Sequence, residues 1–300
     1  KLKQSKQYLR DFFLIKDDVP AFEESDIMLA LRFLEDYAIR LGKPLIIIFG
    51  LGSANGSRTG ASPLAEMMEN LTKKPNISVI TCMGNEANNK CHYKGTVMSA
   101  LVPDVMEINV DGTGKGFTME IWADSLDILS VSIESPSGEY VPRIPARMGA
   151  SMEYTFLYEG STVTVDYQIT ENVAGMEVIF VRLKTPVEGT WKFYIYSLTN
   201  IKGSYNAWLP LKQFSGQDIY FLKSDPDTTL TVPAAADGVI SVGAYNHYTG
   251  AAYYESGRGY SADGRIKPDF VAPGAGVYGI APSGGVKVTG TSYADRKSTR

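Results

Sequence analysis

The order of apolar and polar residues changes twice along the chain. In residues 1–102, apolar residues recur at helical spacing and alternate with short continuous apolar runs. The first helical stripe predicts a helix that Ser25 caps and Gly42 ends. A second predicted helix begins at Ser62 and Pro63. The two stripes consist of Ile27, Leu31, Leu34, Ala38 and Leu41, and of Leu64, Met67, Met68 and Leu71.

The apolar runs next to these helices are typical of strands in a parallel sheet. Residues 44–49 are continuously apolar, as expected of a strand that is buried on both faces. Residues 77–82 form the next such strand. The alternation of helix and strand predicts a doubly wound α/β fold, whose functional sites lie beyond the carboxyl ends of the strands.

Residues 103–212 instead alternate apolar and polar residues at the two-residue period of β-strands. The alternating runs are Met106-Ile108-Val110, Phe117-Met119-Ile121, Leu129-Val131-Ile133, Val163-Val165-Tyr167, Val178-Phe180-Arg182 and Trp191-Phe193-Ile195. Turns rich in Gly, Pro, Asp and Ser separate them, and helical signals are nearly absent. This pattern predicts an all-β sandwich or jelly-roll domain. Its aromatic residues suit either a carbohydrate-binding platform or the sandwich core, and their two-residue period favours the core; they are Trp122, Tyr154, Tyr158, Trp191 and Tyr194.

The α/β pattern returns in residues 213–294, where residues 238–245 are typical of a buried strand. The β domain at 103–212 is therefore predicted to be inserted into one α/β domain, which is formed by residues 1–102 and 213–294. Residues 295–300 are polar and mostly charged, and burying them in a helix would carry a large desolvation cost. We expect these six residues to reflect a truncation, a frameshift or a sequence added in cloning.

Composition excludes several classes of function. The 300 residues carry a formal net charge of −4, with 44% hydrophobic and 21% charged residues, which gives no basic surface for nucleic acid. The apolar runs are too short to span a membrane, and residues 1–4 do not open a signal peptide. The chain begins without Met, so we expect that its start is not the native one. Cys82 and Cys91 are too few for a disulfide framework; we expect thiols in a reducing compartment, with one bridge left open. The sequence predicts no cofactor and no metal site.

The candidate chemistry lies near the end of the chain. Gly290, Thr291 and Ser292 follow a short apolar run and precede a predicted helix, so that helix N-terminal amides could stabilise an oxyanion near the Ser292 hydroxyl. The upstream segment Lys267-Pro268-Asp269-Phe270-Val271-Ala272-Pro273-Gly274 stands at a fitting distance. Together the two segments resemble the sequence around the catalytic serine of subtilases, the subtilisin-like serine proteases.

The resemblance implies a role for residues at three further positions. Ser292 is the implied nucleophile, and Asn85, after the strand at 77–82, is the implied oxyanion donor together with the backbone N–H of Ser292. Residues 49–52 resemble the substrate-binding strand of the family, with Gly50 where serine is usual. Gly50, Leu51, Gly52 and Gly84 are thus expected to bind substrate, the first three by β-augmentation. The resemblance also predicts a cis peptide between Val232 and Pro233.

A serine nucleophile needs a base, and the sequence offers only His92 and His247. Neither stands in the setting that carries the subtilase base, and both are expected to be solvated loop residues. Because the family order is Asp, His and then Ser, the catalytic Asp and His are expected to lie before Lys1.

The predicted β insertion, residues 8–15 and residues 206–210 resemble the clostridial germination-protease group of subtilases, which cleave a spore zymogen and carry a jelly-roll insert. The implied function is a serine endopeptidase that forms an acyl-enzyme on Ser292 and is inactive as this chain alone. Alternatives are a catalytically inactive subtilase-like binding or sensing protein and a carbohydrate-binding module at 103–212. The implied partners are a protein or peptide substrate and the segment expected before Lys1, with no nucleic acid and no membrane. Location in a spore or the cytoplasm follows from the resemblance alone.

Overall fold

The computed structural model describes residues 2–123, 127–147, 149–169, 176–199 and 201–297. The helices are α1 (Gln7–Phe12), α2 (Glu24–Leu41), α3 (Pro63–Thr72) and α4 (Thr291–Lys297). The strands are β1 (Leu45–Phe49), β2 (Ile77–Cys82), β3 (His92–Thr96), β4 (Asp104–Asp111), β5 (Gly116–Ala123), β6 (Leu129–Glu134), β7 (Tyr140–Ile144), β8 (Ser151–Thr155), β9 (Thr162–Ile169), β10 (Glu177–Lys184), β11 (Gly189–Ser197), β12 (Ser204–Trp208), β13 (Asp218–Phe221), β14 (Ile240–Tyr245), β15 (Phe270–Pro273), β16 (Val277–Ala281) and β17 (Gly284–Val288). Within the described residues, no helix is long and apolar enough to cross a membrane.

The chain forms two compact units. The first unit contains Lys1–Ser5, Ala21–Asn89 and Pro226–Arg300, and the second contains Lys6–Pro20 and Lys90–Asp225.

A parallel sheet forms the centre of the first unit. Its strand order is β1-β2-β14-β15, with Ile47 opposite Val79 and Ile240 opposite Ile80. On one face, α2 and α3 bury an apolar cluster with Ile47, Phe49 and Val79. On the other face, Ala294 of α4 packs with Ile80 and the residues of β14 and β15. The coarse prediction of an α/β domain with a parallel sheet is thereby confirmed.

The two predicted helices are present, and one differs in detail. Ser62 caps α3 by accepting a hydrogen bond from the backbone N–H of Ala65 at 3.2 Å, as its sequence predicts. The prediction that Ser25 caps α2 is wrong, because this helix already begins at Glu24 and its N-cap residue, Glu23, makes no side-chain cap. Gly42 does end α2 in the left-handed conformation, at φ 61°.

The predicted burial of α2 and β1 was too extensive. Leu34 and Leu41 of the α2 stripe are exposed, whereas Leu31 is buried. In β1, Ile46 and Ile48 are 59% and 41% exposed, so this strand is not buried on both faces. The reason is that β1 is an edge strand and that the short α4 contacts β2, β14 and β15 more than β1.

Two antiparallel sheets form the second unit. Their strand orders are β3-β12-β5-β10-β9-β8 and β13-β4-β11-β6-β7. Both sheets contribute to one apolar cluster, which includes Ile121 and Val181 from the first sheet and Val131 and Phe193 from the second. All six runs that the two-residue period marked as strands are strands here.

The predicted interval of 103–212 is narrower than this unit. β3 and β13 lie outside the interval, yet β3 pairs with β12 and β13 pairs with β4. Residues 6–20, which were assigned to the α/β domain, also belong to this unit, where Phe12 stacks on Phe180 at 5.8 Å. Short strands such as β13 lacked a long enough alternation to be recognised.

The aromatic residues of this unit divide between core and surface. Trp191 and Trp122 are buried, at 0% and 6% exposure, as the core interpretation expects. Tyr158 is 83% exposed and Tyr154 is 36% exposed, so neither is a fully buried core residue.

Candidate active site

The site lies where the parallel strands of the first unit end. Because β1, β2, β14 and β15 run in the same direction, the segments that follow them meet at one edge of the sheet. These segments contain Gly50 after β1 and Asn85 after β2, and α4 begins at the same edge.

Asn85 and the first turn of α4 are joined by hydrogen bonds. The backbone N–H of Thr291 donates to Oδ1 of Asn85 at 2.9 Å. The buried hydroxyl of Thr291 bonds both the N–H and the carbonyl of Gly84, each at 3.1 Å. Asn85 therefore lies beside the residue that precedes Ser292, and its role as an oxyanion donor stays a prediction.

Ser292 lies at the end of β1. Its hydroxyl donates to the carbonyl of Gly50 at 3.2 Å and lies 3.9 Å from Sγ of Cys82. A Cβ on Gly50 would lie 3.6 Å from Cβ of Ser292, which is ordinary contact. Position 50 thus has room for a Cβ beside Ser292.

Two buried ionisable side chains, those of Cys82 and Asp295, lie below Ser292. Both side chains are buried, and burial together with the charge of Asp295 raises the pKa of the Cys82 thiol. Burial also raises the pKa of Asp295 to about 6, although the backbone N–H and the charge of Arg296 oppose this effect. Cys82 and Cys91 form no disulfide bridge in this structure. Sequence reasoning missed Asp295 as a buried residue, because its charge marked the helix as unable to continue.

Thr231 fills the space between the expected substrate-binding glycines. A Cβ on Gly52 would lie 2.3 Å from Oγ1 of Thr231, and a Cβ on Gly84 would lie 2.5 Å from its Cγ2. Gly84 also has a φ of +87°, which disfavours any other residue. The neighbouring Val232–Pro233 peptide is cis, as predicted. No local motif marks Thr231, so its position here could not be predicted from the sequence.

The two histidines lie in different environments. The prediction that His92 is a solvated loop residue is wrong: it is buried in β3, hydrogen-bonded to Oδ1 of Asn206 at 2.9 Å and stacked on Trp208. His247 is exposed in the turn after β14, with its ring against Tyr248. In the described part of the chain, the hydroxyl of Ser292 makes no bond to His247.

Within the described ranges, no three His, Cys, Asp or Glu side chains come together as a metal-binding group. The expectation that no cofactor is needed stays a prediction.

Comparison with known proteins gives the class of protein. A model of the subtilase family matches residues 46–299, and the chain belongs to this family of peptidases. Among solved structures, it is similar to the CspB protease of Clostridium perfringens, with a TM-score of 0.83 and 25% sequence identity. The match covers 95% of this chain and 61% of the CspB chain. No curated protein sequence matches the chain.

Proposed function

We propose that the intact protein is a subtilisin-like serine endopeptidase with Ser292 as the nucleophile. The observation that carries this proposal is that Gly84 and Asn85, at the end of β2, are hydrogen-bonded to Thr291, the residue before Ser292. Attack of the Ser292 oxygen on a peptide carbonyl would form a tetrahedral oxyanion. The Nδ2 group of Asn85 and the backbone N–H of Ser292 are the two hydrogen-bond donors for this oxyanion. The amine fragment of the cleaved peptide bond would then depart, and an acyl-enzyme on Ser292 would remain.

The substrate would lie as an extended strand along Gly50, Leu51 and Gly52, with Gly84 facing it from the end of β2. Main-chain hydrogen bonds would hold such a strand by β-augmentation. The absence of side chains at Gly52 and Gly84, which Thr231 requires, supports a close approach of two backbones here. A protein or peptide is the corresponding substrate class.

The proton acceptor of this mechanism is proposed to lie on another segment of the intact protein. Serine at its free pKa is a weak nucleophile, and among the described residues Ser292 bonds only Gly50 and Cys82. The chain spans 61% of the length of the related CspB chain, which leaves room for a segment with the catalytic Asp and His. We therefore expect the 300-residue chain alone to lack useful activity.

The second unit is proposed to be a jelly-roll insertion centred on residues 103–212, as in germination proteases of clostridia. The supporting observation is its pair of antiparallel sheets around one apolar cluster. Its entry and exit also lie side by side, because the N–H of Phe221 donates to the carbonyl of Lys90 at 3.0 Å. An insertion must return the chain near the point where it left.

The second candidate function is a catalytically inactive binding protein on the subtilase scaffold. The observation in its favour is that His247, the histidine of the first unit, makes no bond to Ser292 among the described residues. The two candidates differ in whether Ser292 ever becomes a nucleophile in the intact protein.

The experiment compares the intact gene product with the 300-residue chain in fluorophosphonate labelling and peptide hydrolysis. We expect labelling and hydrolysis only in the intact protein, complete loss of both in Ser292→Ala, and a kcat lower by roughly 10²–10³ in Asn85→Ala. Ser283→Ala, at an exposed serine of the same unit, is the control and should leave both unchanged. Hydrolysis that survives Ser292→Ala contradicts the mechanism. An intact protein with neither labelling nor hydrolysis supports the binding protein instead.

A further inference from the structure

Three tyrosines lie together on the outer face of the five-stranded sheet of the second unit. In β11, Phe193 and Ile195 are fully buried, so Tyr194 and Tyr196, which alternate with them, lie on the opposite face and are half-buried. Tyr140 of β7 is 45% exposed on this outer face, where its ring meets that of Tyr194 edge to face at 5.9 Å. The solvated face of an antiparallel sheet is normally polar, so these three rings, the tyrosine surface, are a candidate binding site.

The hydroxyl groups of two of these rings converge on one serine. Ser132, which is buried in β6 opposite Tyr194, accepts a hydrogen bond from the hydroxyl of Tyr140 at 2.7 Å. Its Oγ also lies 3.3 Å from the hydroxyl of Tyr196, and the hydroxyls of Tyr140 and Tyr196 are 3.4 Å apart. Because a hydroxyl both donates and accepts, this group can exchange hydrogen bonds with the hydroxyls of a ligand.

The rings and their hydroxyls together match the chemistry of a sugar ring. A sugar ring carries hydroxyl groups around its edge and C–H bonds on its two faces, so it binds where hydrogen-bond partners stand beside an apolar surface. The tyrosine surface supplies both, because each side chain has an apolar ring that ends in a hydroxyl. Tyr194 is one of the aromatic residues that suited either a carbohydrate-binding platform or the core, and its position outside the core favours the platform.

One end of the tyrosine surface carries charges that are already balanced. Glu134 of β6 accepts hydrogen bonds from the hydroxyl of Tyr194 and, at 3.0 Å, from Nζ of Lys192. These two bonds lower the pKa of Glu134, so its carboxylate is ionised and neutralises Lys192. Glu107 of β4 is opposite Lys192 on the other side. An anionic ligand therefore gains little from Lys192.

The other end carries Arg143, whose charge is not balanced in this way. Its Nε donates to Oγ of Ser130 at 2.7 Å, and its Cζ lies 4.6 Å from the centroid of the Tyr196 ring. These contacts hold the guanidinium in place, yet within the described ranges no carboxylate pairs with it. The side chain of Arg143 is exposed. A fixed and accessible guanidinium beside aromatic rings is complementary in charge to a ligand that carries a carboxylate.

We propose that the tyrosine surface binds a glycan that contains acidic sugars, with a sugar ring against the tyrosines and a sugar carboxylate on Arg143. The converging hydroxyls favour a saccharide, and the guanidinium favours a carboxylate on it. The site concerns the second unit alone and does not depend on hydrolysis at Ser292. It goes beyond the proposed function by adding a glycan as a ligand of the protein.

The experiment compares two hexasaccharides that differ in charge. Hyaluronan hexasaccharide alternates glucuronate and N-acetylglucosamine and carries three carboxylates, whereas chitohexaose consists of N-acetylglucosamine alone and is uncharged. Isothermal titration calorimetry measures their affinities for the 300-residue chain. We expect hyaluronan hexasaccharide to bind about fivefold more tightly at low salt, and the two affinities to converge at high salt. Equal affinities at low salt, or binding of neither saccharide at millimolar concentration, would overturn the proposal.

Substitutions separate the two parts of the site. Arg143→Gln should remove the preference for hyaluronan and leave the affinity for chitohexaose unchanged, while Lys94→Gln, at an exposed cation of the other sheet, should keep the preference. This ratio of affinities does not depend on how much of the sample is folded. Tyr140→Ala should weaken both saccharides about fivefold, and Tyr8→Ala, at a 62% exposed tyrosine of α1, should weaken neither. A preference that survives Arg143→Gln would contradict the role of the guanidinium.

A peptide of the same charge tests whether the ligand is a saccharide. A capped hexapeptide of alternating Glu and Gly carries the same three carboxylates as the hyaluronan hexasaccharide. We expect it to bind at least about fivefold more weakly, because it has no ring to lie against the tyrosines. Equal or tighter binding of the peptide would overturn the assignment to a glycan and identify an acidic protein segment as the ligand.

Discussion

Thr231, which is buried, lies between the segments that follow β1 and β2. Its side chain lies against Gly52 and Gly84, where any Cβ would clash, and its N–H donates to the carbonyl of Met83 at 3.0 Å. In the described part of the chain, Oγ1 of Thr231 has no hydrogen-bond partner although it is buried. A buried hydroxyl without a partner costs stability.

We expect Thr231→Val to raise the free energy of unfolding of the 300-residue chain by about 1 kcal/mol, because it replaces that hydroxyl with a methyl group of similar size. Thr231→Ser, which keeps the hydroxyl and removes the methyl group, should lower it by about 1 kcal/mol. Urea denaturation checks both values. If Thr231→Val were the less stable variant, the hydroxyl would have to contribute a favourable interaction.

At the scale of residues, the sequence predicts the site residues that belong to a recognisable local motif. Ser292, Asn85 and Gly84 stand in short segments whose order and spacing are visible in the sequence, and the structure brings them together. Thr231 and Asp295 could not be predicted. Their environment comes from Gly52 and Gly50, which are far away along the chain.

At the scale of an element, helix α4 contains a buried charged residue that the sequence did not predict. It is seven residues long, and Asp295 in it is buried at 0% exposure, facing Gly50. The polar composition of residues 295–300 predicted that no buried helix would continue here. The helix reaches Lys297 nevertheless, and the cost of burial appears as the raised pKa of Asp295.

The stability of the fold should therefore depend on pH through Asp295. The pKa of Asp295 is about 6 in the folded chain, compared with 3.8 for an unperturbed Asp side chain, so folding favours the protonated carboxyl. The stabilisation that comes from this protonated carboxyl is fully present below about pH 4. It is lost as pH rises through 6, and the free energy of unfolding falls by about 3 kcal/mol in total. Compared with Asp295→Asn, the unsubstituted chain should lose stability between pH 4 and pH 7.

Denaturant unfolding at several pH values measures this difference, and Asp237→Asn, at a 79% exposed side chain, serves as the control. The control should follow the unsubstituted chain at each pH. Identical pH profiles for Asp295→Asn and the unsubstituted chain would show that Asp295 is not protonated by burial.

Other elements show which part of the fold the periodic pattern of apolar residues can predict. The apolar runs at β1 and β2 and the six alternating runs of the second unit were sufficient to place those strands. Periodicity could not show that β1 is an edge strand. It also could not show that His92 of β3 is hydrogen-bonded to Asn206 of β12, because both features depend on which strands become neighbours. The ends of α2 likewise depend on contacts, since Glu24 at its start bonds the N–H of Leu64.

At the scale of the whole molecule, the first unit leaves much apolar surface open. In α2, the aromatic pair of Phe33 and Tyr37 is exposed, with the rings stacked at 6.1 Å. In β1, Ile46 and Ile48 lie on the same face as Ile80, because Ile48 is opposite Ile80 in the sheet register. A parallel sheet is normally covered on both faces, and an open edge next to apolar side chains favours pairing with another chain.

We expect the 300-residue chain to self-associate through β1, and the double substitution Ile46→Lys with Ile48→Lys to reduce that association about tenfold by placing like charges on the open face of the edge strand. Ile280→Lys, at a 96% exposed residue of β16, is the matched control, because it removes a more exposed isoleucine of the same unit away from this edge. Sedimentation velocity over a range of concentrations gives the association constants. If Ile280→Lys dissociated the oligomer while the β1 substitutions did not, the hairpin of β16 and β17 would be the associating surface. In the intact protein, the proposed segment with the catalytic Asp and His should cover β1, so the same β1 substitutions should then reduce peptide hydrolysis while Ile280→Lys leaves it unchanged.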